Sequence, residues 1–518
     1  MFMLPLSNGR RRSPDAEVVS RSAPVNGWNA RDGLAMMKQG DAVILDNYFP
    51  NGSSCDLRGG TERHVKLDGV TTAPETLMVY ANGAVNKMLA VADGNIYDAS
   101  ISGTVSATLD TGLTNDRFSY DHMGGYIVFV NGADTPRKFD GTTVSTTAIT
   151  GVTAANLSYV CANHNRLFFV EKNTLSAWFL PTLAIAGAAS EIDLSGYCAL
   201  GGSLIAIGRW TRDGGAGMDD LTVFFTNKGE AVVYEGTDPA SADTWQQVGV
   251  FRIGAPIGSR PLMNNGADLM IMTEDGYAPL SKVLPVDRVG AQRVTISDKI
   301  NPAVTLANRT HGDKFGWQAI LYPRGHYALF NVPTKEGETS EQHVMNTNTG
   351  AWCKFKGMNA VCFAIFNNNL YYGANGGYVV LADTDDFKDD TLETVQAFGV
   401  IQGDILPAFD YFGSRARQKQ FTMFRPVITS NGSPNVSAVM NVDFARGTPT
   451  PVDTGPSTGT PWGSPWGSPW GLANKIRKAW ISISGIGYCG APHIRTRTSG
   501  ISISLNSIDY TFKQGGIL

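Results

Sequence analysis

The sequence predicts an all-β protein, with a β-propeller of six or seven blades and an additional C-terminal β-sandwich-like domain. Three observations support this fold class. Its 518 residues include 58 Gly and 25 Pro, and 10% are aromatic, a composition typical of turn-rich β proteins. Short apolar segments alternate with Asp-Gly and Asn-Gly pairs, which favour tight hairpins. The intervals from Gly94 to Gly141 and from Gly229 to Gly276 are both 47 residues, close to the ~40–50 residues of a propeller repeat.

Residues 1–65 contain few regular signals, and we expect an N-terminal arm or an irregular entry segment there. Asn26-Gly27 and Asn51-Gly52 mark turns, and residues 33–37 have the composition of a short helix.

Residues 66–385 form the predicted propeller. Strands separated by turns are expected at 87–92, 95–98, 126–130, 137–140, 166–170, 221–226, 230–234, 268–272, 327–332, 346–352, 369–372 and 378–381. No helix is predicted among them. A single hairpin is marginally stable in water, so these units must stack on one another. The alternative is two successive β-sandwiches, which would use the same hairpins without closing them into a ring.

An acidic cluster follows, formed by Asp383, Asp385, Asp386, Asp389 and Asp390. A calcium-binding loop needs a central glycine and a distal glutamate, and this cluster lacks that glycine. We therefore expect a solvated loop rather than a metal site.

Residues 386–518 are predicted to form a separate β domain, with strands at 421–428, 436–442, 479–484, 501–505 and 508–512. Within it, residues 460–471 repeat Pro-Trp-Gly-Ser and carry Trp462, Trp466 and Trp470. Proline and glycine make a central strand impossible there, so the segment is a loop. The tryptophans either contact a partner surface or fold back on their own domain.

The charge pattern does not fit a DNA-binding domain. Lys and Arg total 42 and Asp and Glu total 46, which gives a net charge of −4. Basic residues cluster at Arg10, Arg11 and Arg12 and again at Arg415, Arg417 and Lys419. We consider the arginines candidate partner contacts, although a solvated face or a loose terminus is the simpler explanation.

Catalytic patterns are scarce in the sequence. No lysine precedes Ser or Thr as a phosphate-binding loop requires, and no His-Glu-x-x-His segment occurs. The seven histidines do not have metal-ligand spacing, and His164 and His326 have the setting of turn residues. We predict no catalytic, cofactor-binding or metal-ligating residue and no cofactor, and therefore not an enzyme. Two carboxylates suffice for glycoside hydrolysis, but the repeated Ser-x-Asp-x-Gly-x-Thr-Trp boxes of propeller sialidases do not occur.

Six scattered cysteines without a Cys-x-x-Cys pair indicate reduced, buried thiols made in a cytosol. The first residues have apolar character before positive charge, the reverse of a signal peptide, and no run of 18 apolar residues predicts a transmembrane helix.

Several segments resemble a family of phage proteins. Residues 27–32 (Gly-Trp-Asn-Ala-Arg-Asp), 41–50 and 57–60 are similar to the opening of proteins in the tail modules of short-tailed phages. Residues 207–210, 222–225 and 231–236 resemble the packaged-DNA stabilisation proteins of these phages, which are tail hub or nozzle proteins; residues 352–353 and 369–373 fit the same pattern. The Pro-Trp-Gly-Ser repeat has no counterpart in this resemblance.

The resemblance implies a structural virion protein of the tail, made in the host cytoplasm. It implies a six-fold homo-oligomeric ring below the portal and adaptor, in contact with tail-tip, fibre or spike proteins. Genomic DNA would pass through the lumen without sequence-specific binding, and stable membrane insertion is not expected. Two alternatives stay open: a tail protein that binds or depolymerises host-surface glycans, and a propeller scaffold unrelated to viruses.

Overall fold

The computed structural model describes residues 16–213, 218–266, 268–285, 295–392, 398–450, 453–454 and 475–517. The chain divides into two compact units. We call Arg58–Gly399 the propeller unit, and Met1–Leu57 with Val400–Leu518 the terminal unit.

The propeller unit is a β-propeller. Its described residues form six four-stranded blades and one three-stranded sheet. Blade 1 contains Thr76–Asn82, Val85–Ala92, Asn95–Asp98 and Thr108–Thr111; blade 2 contains Ser119–Met123, Tyr126–Val130, Arg137–Phe139 and Val144–Thr146; blade 3 contains Leu157–Asn163, Arg166–Glu171, Ser176–Phe179 and Ser190–Asp193.

Blade 4 contains Leu204–Asp213, Met218–Thr226, Glu230–Gly236 and Trp245–Arg252, and the three-stranded sheet contains Leu262–Asn265, Asp268–Thr273 and Gly276–Pro279. Blade 5 contains Gln318–Tyr322, Tyr327–Lys335, Thr339–Asn346 and Trp352–Lys356. Blade 6 contains Ala360–Phe366, Asn369–Ala374, Tyr378–Thr384 and, as its outer strand, Gly60–Leu67. Short strand pairs join Ile149–Thr150 to Gly187–Ala188 and Asp389–Asp390 to Phe398–Gly399.

Blade 6 closes the ring because its strands come from both ends of the propeller sequence. Gly60–Leu67 pairs antiparallel with Tyr378–Thr384, with Val65 opposite Val379. Gly103–Val105 adds a short parallel strand to the outer side of Gly60–Leu67. The first strand of blade 6 contacts the first strands of blades 5 and 1, which completes the circle. The sandwich alternative for this region is therefore wrong.

Successive side chains of each strand point into two different cores. In blade 3, Phe168 packs with Phe224 of blade 4, whereas Phe169 packs with Val128 of blade 2. All four side chains are fully buried. Each blade thus buries both faces of its sheet, which explains the continuous apolar runs in the sequence.

Two helices among the described residues lie between the three-stranded sheet and blade 5, where the sequence predicts none. They are Leu280–Val283 and Asn301–His311, and 3-10 turns occupy Ala154–Asn156 and Asp298–Ile300. Asn301–His311 begins with a proline in its first turn, which suits a helix start, and it buries only Val304. The predicted helix at residues 33–37 is also wrong, because this segment forms a single turn closed by the Gly33 carbonyl.

The terminal unit contains two sheets. The first has the long central strands Arg417–Ser430 and Ile503–Ile517, flanked by Glu17–Ser22, Cys55–Leu57, Tyr48–Pro50, Lys475–Arg477 and Ile481–Gly487. The second contains Asp41–Asp46, Ile401–Pro407, Gly490–Thr498 and Val436–Val442, with Gly27–Trp28 and Asp453–Thr454 at its margins.

The beginning of the chain is more regular than expected from its sequence. Residues 17–57 contain five short strands, and Glu17–Ser22 pairs with the last strand, with Val19 opposite Tyr510. Of the irregular arm expected at 1–65, residues 17–57 are therefore part of a β unit shared with residues 400–518, and Gly60–Leu67 belongs to the propeller. Short strands that pair with distant partners leave little local signal, which explains the difference.

The acidic cluster is not simply a solvated loop, and this correction concerns Asp389 and Asp390. Asp389 accepts two hydrogen bonds from Arg58, at 2.6 and 2.8 Å, and the Arg58 side chain is 2% exposed. Asp390 accepts from the Arg63 backbone at 3.0 Å. Asp383, Asp385 and Asp386 are exposed, as expected, and Asp386 lies 3.0 Å from Lys388.

All six cysteines are free and buried, which confirms the predicted thiols. His164 and His326 have φ of 48° and 55°, values that confirm them as turn residues. Among the described residues, no helix is long and apolar enough to cross a membrane.

Candidate functional site

The predicted partner contacts are only partly described. Trp462, Trp466 and Trp470, and Arg10, Arg11 and Arg12, lie outside the described residues, as does the loop 460–471. Arg415 and Arg417 lie on the surface of the terminal unit at the start of a central strand. The Arg415 guanidinium carbon lies 4.5 Å from the Tyr411 ring centroid, and Arg417 donates to Gln514 at 3.3 Å.

Lys419 does not join these arginines. Its side chain is buried, and its ammonium donates to the carbonyl oxygens of Ser414 and Tyr488, the latter at 2.9 Å. Burial lowers the pKa of Lys419, against the raising effect of Asp410. The basic cluster of the sequence is thus divided into two exposed arginines and one structural lysine.

The first strands of the blades surround an axial channel in the propeller unit, and two cavities open along it. Polar side chains bridge first strands of neighbouring blades, which are not joined by backbone hydrogen bonds at these positions. Gln318 of blade 5 donates to the Phe363 carbonyl of blade 6 at 3.0 Å and accepts from the Phe363 N–H at 2.9 Å. Asp121 of blade 2 accepts from the Ala162 N–H of blade 3 at 2.7 Å. These bonds satisfy backbone groups at strand edges and hold the channel wall in place.

Two cavities in the channel share the wall residues Leu262 and Asn264. The larger, about 820 Å³, is lined by Leu262, Asn264, Ile320, Tyr322, Arg324, Ile365 and Asn368, among others. The smaller, about 310 Å³, is lined by Tyr120, Asp121, His122, Tyr159, Cys161 and Arg209, among others. Their lining mixes apolar walls with a few polar groups, the usual character of small-molecule sites.

The smaller cavity contains a loose ion pair. Arg209 Nη2 lies 3.5 Å from Asp121 Oδ2, and the Arg209 side chain is 46% exposed. Burial opposes the charge of the Arg209 guanidinium, but Asp121 and Cys161 raise its pKa above the ordinary value. Arg209 therefore presents a permanent positive charge to the cavity.

Cys161 lies beside this pair but is not an activated nucleophile. Burial and Asp121 together raise the pKa of its thiol to about 12. Reactive cysteines need the opposite environment, in which positive charge stabilises the thiolate. The cavity thus offers hydrogen bonds and one cation to a polar ligand, but a neutral thiol.

One end of the channel is closed by Arg260, which precedes the three-stranded sheet. Its Nη2 donates to Thr76 Oγ1 at 2.7 Å and to the carbonyl oxygens of Glu75 and Phe118 at 3.1 and 3.2 Å. These acceptors belong to the start of blades 1 and 2, so the side chain crosses the axis. The guanidinium carbon also lies 5.2 Å from the Phe315 ring centroid.

Arg117 completes this closure, which we call the axial plug and define as Arg260, Phe315, Arg117, Glu75 and Glu336. Arg117 donates twice to Glu75 at 3.0 Å and once to Glu336 at 2.7 Å, and its guanidinium lies 4.2 Å from the Phe315 ring centroid. The side chains of the axial plug therefore lie across one end of the axis of the propeller unit.

The terminal unit contains a buried polar cluster that the sequence analysis missed. Asp404 Oδ1 accepts from His493 Nε2 at 2.9 Å and from Arg495 Nε at 2.6 Å, and Gln402 donates to Asp404 Oδ2 at 2.9 Å. Despite burial, these hydrogen bonds lower the pKa of Asp404. His493 and Arg495 are two residues apart on one strand and share a face, which is the only sequence signal.

We also searched the chain for the features of a metal site and of a hydrolase active site. No group of three or more His, Cys, Asp or Glu side chains in the described ranges could hold a metal ion. A Gly-x-Ser-x-Gly spacing, found at the nucleophile of many hydrolases, occurs at residues 455–459, outside the described residues.

Comparison with known proteins gives no family. No protein-family model matches the chain, and no curated protein matches it. Solved structures similar to it include the WD40 β-propeller domain of Doa1, at 10% identity and a TM-score of 0.39, covering 63% of this chain and 98% of that one. YCF48 bound to the D1 peptide is similar at 10% identity and a TM-score of 0.37, covering 63% and 95%. A computationally designed protein is similar at 11% identity and a TM-score of 0.37, covering 62% and 100%.

Proposed function

We propose that this chain is a structural protein of a short-tailed phage tail, a subunit of a six-fold hub or nozzle ring through which packaged DNA is retained and then ejected. The observation that carries the proposal is the role of the residues behind the family resemblance. Asn29 donates to Asp32 at 3.0 Å and to Asp41 at 2.8 Å, and Trp28 is buried. These residues hold a turn of the terminal unit together.

The other segments of the resemblance have similar roles. Arg58 is paired with Asp389 beside the ring-closing strand, and Phe224 and Phe225 fill the cores on the two sides of blade 4. The shared pattern thus consists of residues that build a rigid fold, as a ring component requires. A propeller has few free strand edges and resists deformation, which suits such a component.

The axial plug defines where DNA would pass in this proposal. Because Arg260 spans the axis of the propeller unit, we expect the duplex to run through a lumen between subunits. A net charge of −4 limits the phosphate contacts that would hold DNA in that lumen.

The proposal is tested with the purified full-length protein by negative-stain microscopy and mass photometry. We expect rings of six copies with an open lumen, and antibodies against the protein should label the tail of the virion. A monomer or trimer that binds or cleaves bacterial surface glycans would overturn the proposal in favour of a receptor-binding tail protein.

A further inference from the structure

The first strands of the blades give the axial channel two distinct ends. Arg117 and Arg260 of the axial plug come shortly before the first strands of blade 2 and of the three-stranded sheet. His122 and Asn264, which line the smaller channel cavity, lie near the other ends of the same two strands. The plug and the polar lining of this cavity therefore lie at opposite ends of the channel wall.

The two ends differ in charge. At the plug, a surface cavity of about 460 Å³ is lined by five carboxylate side chains of described residues, among them Glu75 and Glu336. The two channel cavities are instead lined by the guanidinium groups of Arg209 and Arg324, with Asp121 as the one carboxylate among their described lining residues. The channel cavities thus favour an anion, although the whole chain has a net charge of −4.

Asp121 does not satisfy the Arg209 guanidinium. The Asp121 carboxylate accepts from the backbone N–H of His122 at 2.8 Å and from that of Ala162 at 2.7 Å. The separation of 3.5 Å from Arg209 Nη2 to Asp121 Oδ2 is longer than an ordinary hydrogen bond, and within the described ranges the guanidinium has no closer acceptor. A planar guanidinium with free N–H groups is suited to bind a carboxylate in two parallel hydrogen bonds.

An apolar wall adjoins this cation. Leu262 lines both channel cavities, and Ile320 and Ile365 line the larger one, which has a volume of about 820 Å³. All three side chains are only partly buried. The apolar part of a ligand would remove them from water, and a cavity of this size accommodates a small molecule.

We propose that the axial channel binds a small organic monocarboxylate, with the carboxylate at Arg209 and the apolar body against Leu262, Ile320 and Ile365. A phosphate ester fits less well, because Asp121 lies in the same cavity and repels its additional negative charge. The site lies within one propeller unit, so this inference does not depend on the proposed ring.

Isothermal titration calorimetry of the purified full-length protein tests the ligand class with matched probes. Phenylacetate has both a carboxylate and an apolar ring, acetate has the carboxylate alone, and 2-phenylethanol has the ring with an uncharged hydroxyl group. We expect saturable binding of phenylacetate, and binding of acetate and of 2-phenylethanol that is weaker by about ten-fold or more, because each lacks one of the two contacts. Phenyl phosphate should also bind more weakly than phenylacetate. Equal or tighter binding of any of these three comparison compounds, or no binding of phenylacetate, would overturn the inference.

Substitution of Arg209 tests the position of the carboxylate. Arg209→Gln removes the cation and should weaken phenylacetate binding by about ten-fold or more. The matched control is Arg252→Gln, which removes an exposed arginine from the outer strand of the same blade and should leave the affinity unchanged. If Arg209→Gln binds phenylacetate as tightly as Arg252→Gln does, the carboxylate does not lie at Arg209 and the inference is wrong.

Thermal unfolding separates a lost contact from a lost fold. Phenylacetate should raise the Tm of the unmodified protein and of Arg252→Gln, but should leave the Tm of Arg209→Gln almost unchanged. Should Arg209→Gln show no unfolding transition, Arg209→Lys provides the same comparison, because it keeps the charge without the planar fork. Its affinity for phenylacetate is expected to be lower than that of the unmodified protein, and an unchanged affinity would refute the paired hydrogen bonds at Arg209.

Discussion

At the scale of single residues, the propeller unit contains buried ionisable groups whose protonation is set by the fold. His343 is one of them. Its Nδ1 accepts a hydrogen bond from the Tyr277 hydroxyl at 3.0 Å, and burial and then Lys354 lower its pKa to about 3. The neutral ring is therefore part of the folded structure.

Replacing His343 should change how stability depends on pH. Because the folded-state pKa lies below the unfolded value of about 6.5, the unfolded chain binds the proton first as the pH falls. The free energy of unfolding should then decrease by about 2 kcal/mol between pH 6.5 and pH 5. His343→Gln should remove most of this decrease in chemical denaturation followed by tryptophan fluorescence. The exposed His122 is the control, and His122→Gln should retain the decrease. An unchanged pH dependence in His343→Gln would contradict the assignment.

Arg260 and Arg117 lie against the same Phe315 ring, but Arg260 is the more buried of the two. Comparing their substitutions therefore distinguishes a buried structural cation from a surface cation. Burial lowers the pKa of Arg260, and its carbonyl partners would lose a charged donor on substitution. Arg260→Ala should lower the free energy of unfolding by about 2–3 kcal/mol. Arg117→Ala should cost about 1 kcal/mol or less, because its side chain is 40% exposed and its ion pairs are solvent-screened. If both variants lost the same free energy of unfolding in chemical denaturation, Arg260 would not act as a buried hydrogen-bond donor across the axis.

At the scale of elements, hairpins were predictable wherever a tight turn separates two apolar strands. The strands 95–98 and 126–130 coincide with those of the structure, because Asp93-Gly94 and Gly124-Gly125 provide the positive φ that such turns need. Prediction was wrong at residues 346–352, where the turn 347–350 separates Thr339–Asn346 from Trp352–Lys356. Polar Asn and Thr residues there form a side-chain-capped turn, as when Asn346 Oδ1 accepts from the Asn348 N–H at 2.8 Å.

The site was less predictable than the fold for a physical reason. Asp121 and Arg209 are 88 positions apart in the sequence and meet only because the first strands of blades 2 and 4 face one channel. Arg260 is similarly distant from Thr76. Hydrophobic periodicity predicts which strands exist but carries no information on which polar side chains converge between them.

The prediction at the scale of elements concerns the strand that closes the propeller. Arg58 precedes the closing strand Gly60–Leu67, and its guanidinium binds Asp389 in two hydrogen bonds. Arg58→Ala leaves a largely buried carboxylate without this partner and should destabilise the propeller unit by about 3–5 kcal/mol. In a double-mutant cycle, Asp389→Ala alone should cost a similar amount, and the double variant should cost clearly less than the sum. Additive losses in denaturant unfolding would show that the pair does not act together.

At the scale of the whole molecule, two strands from the first 67 residues pair with distant parts of the chain, one in each unit. The N-terminal strand Glu17–Ser22 pairs with the last strand in the terminal unit, and Gly60–Leu67 completes the ring of the propeller unit. Both units thus depend on pairing between residues several hundred positions apart. Such topologies fold slowly because loop-closure entropy opposes them, but they resist fraying once formed.

Since each unit has its own core, calorimetry should resolve two unfolding transitions, and Asp404 should identify the one that belongs to the terminal unit. The folded-state pKa of Asp404 is lowered, so its contribution is present above the unfolded value of about 4 and is lost as the pH falls below it. Asp404→Asn leaves Arg495 without its carboxylate and should lower one transition at pH 7, with a loss of about 3 kcal/mol. The other transition should respond instead to Arg58→Ala. If either variant moved both transitions equally, the two units would unfold as one cooperative body.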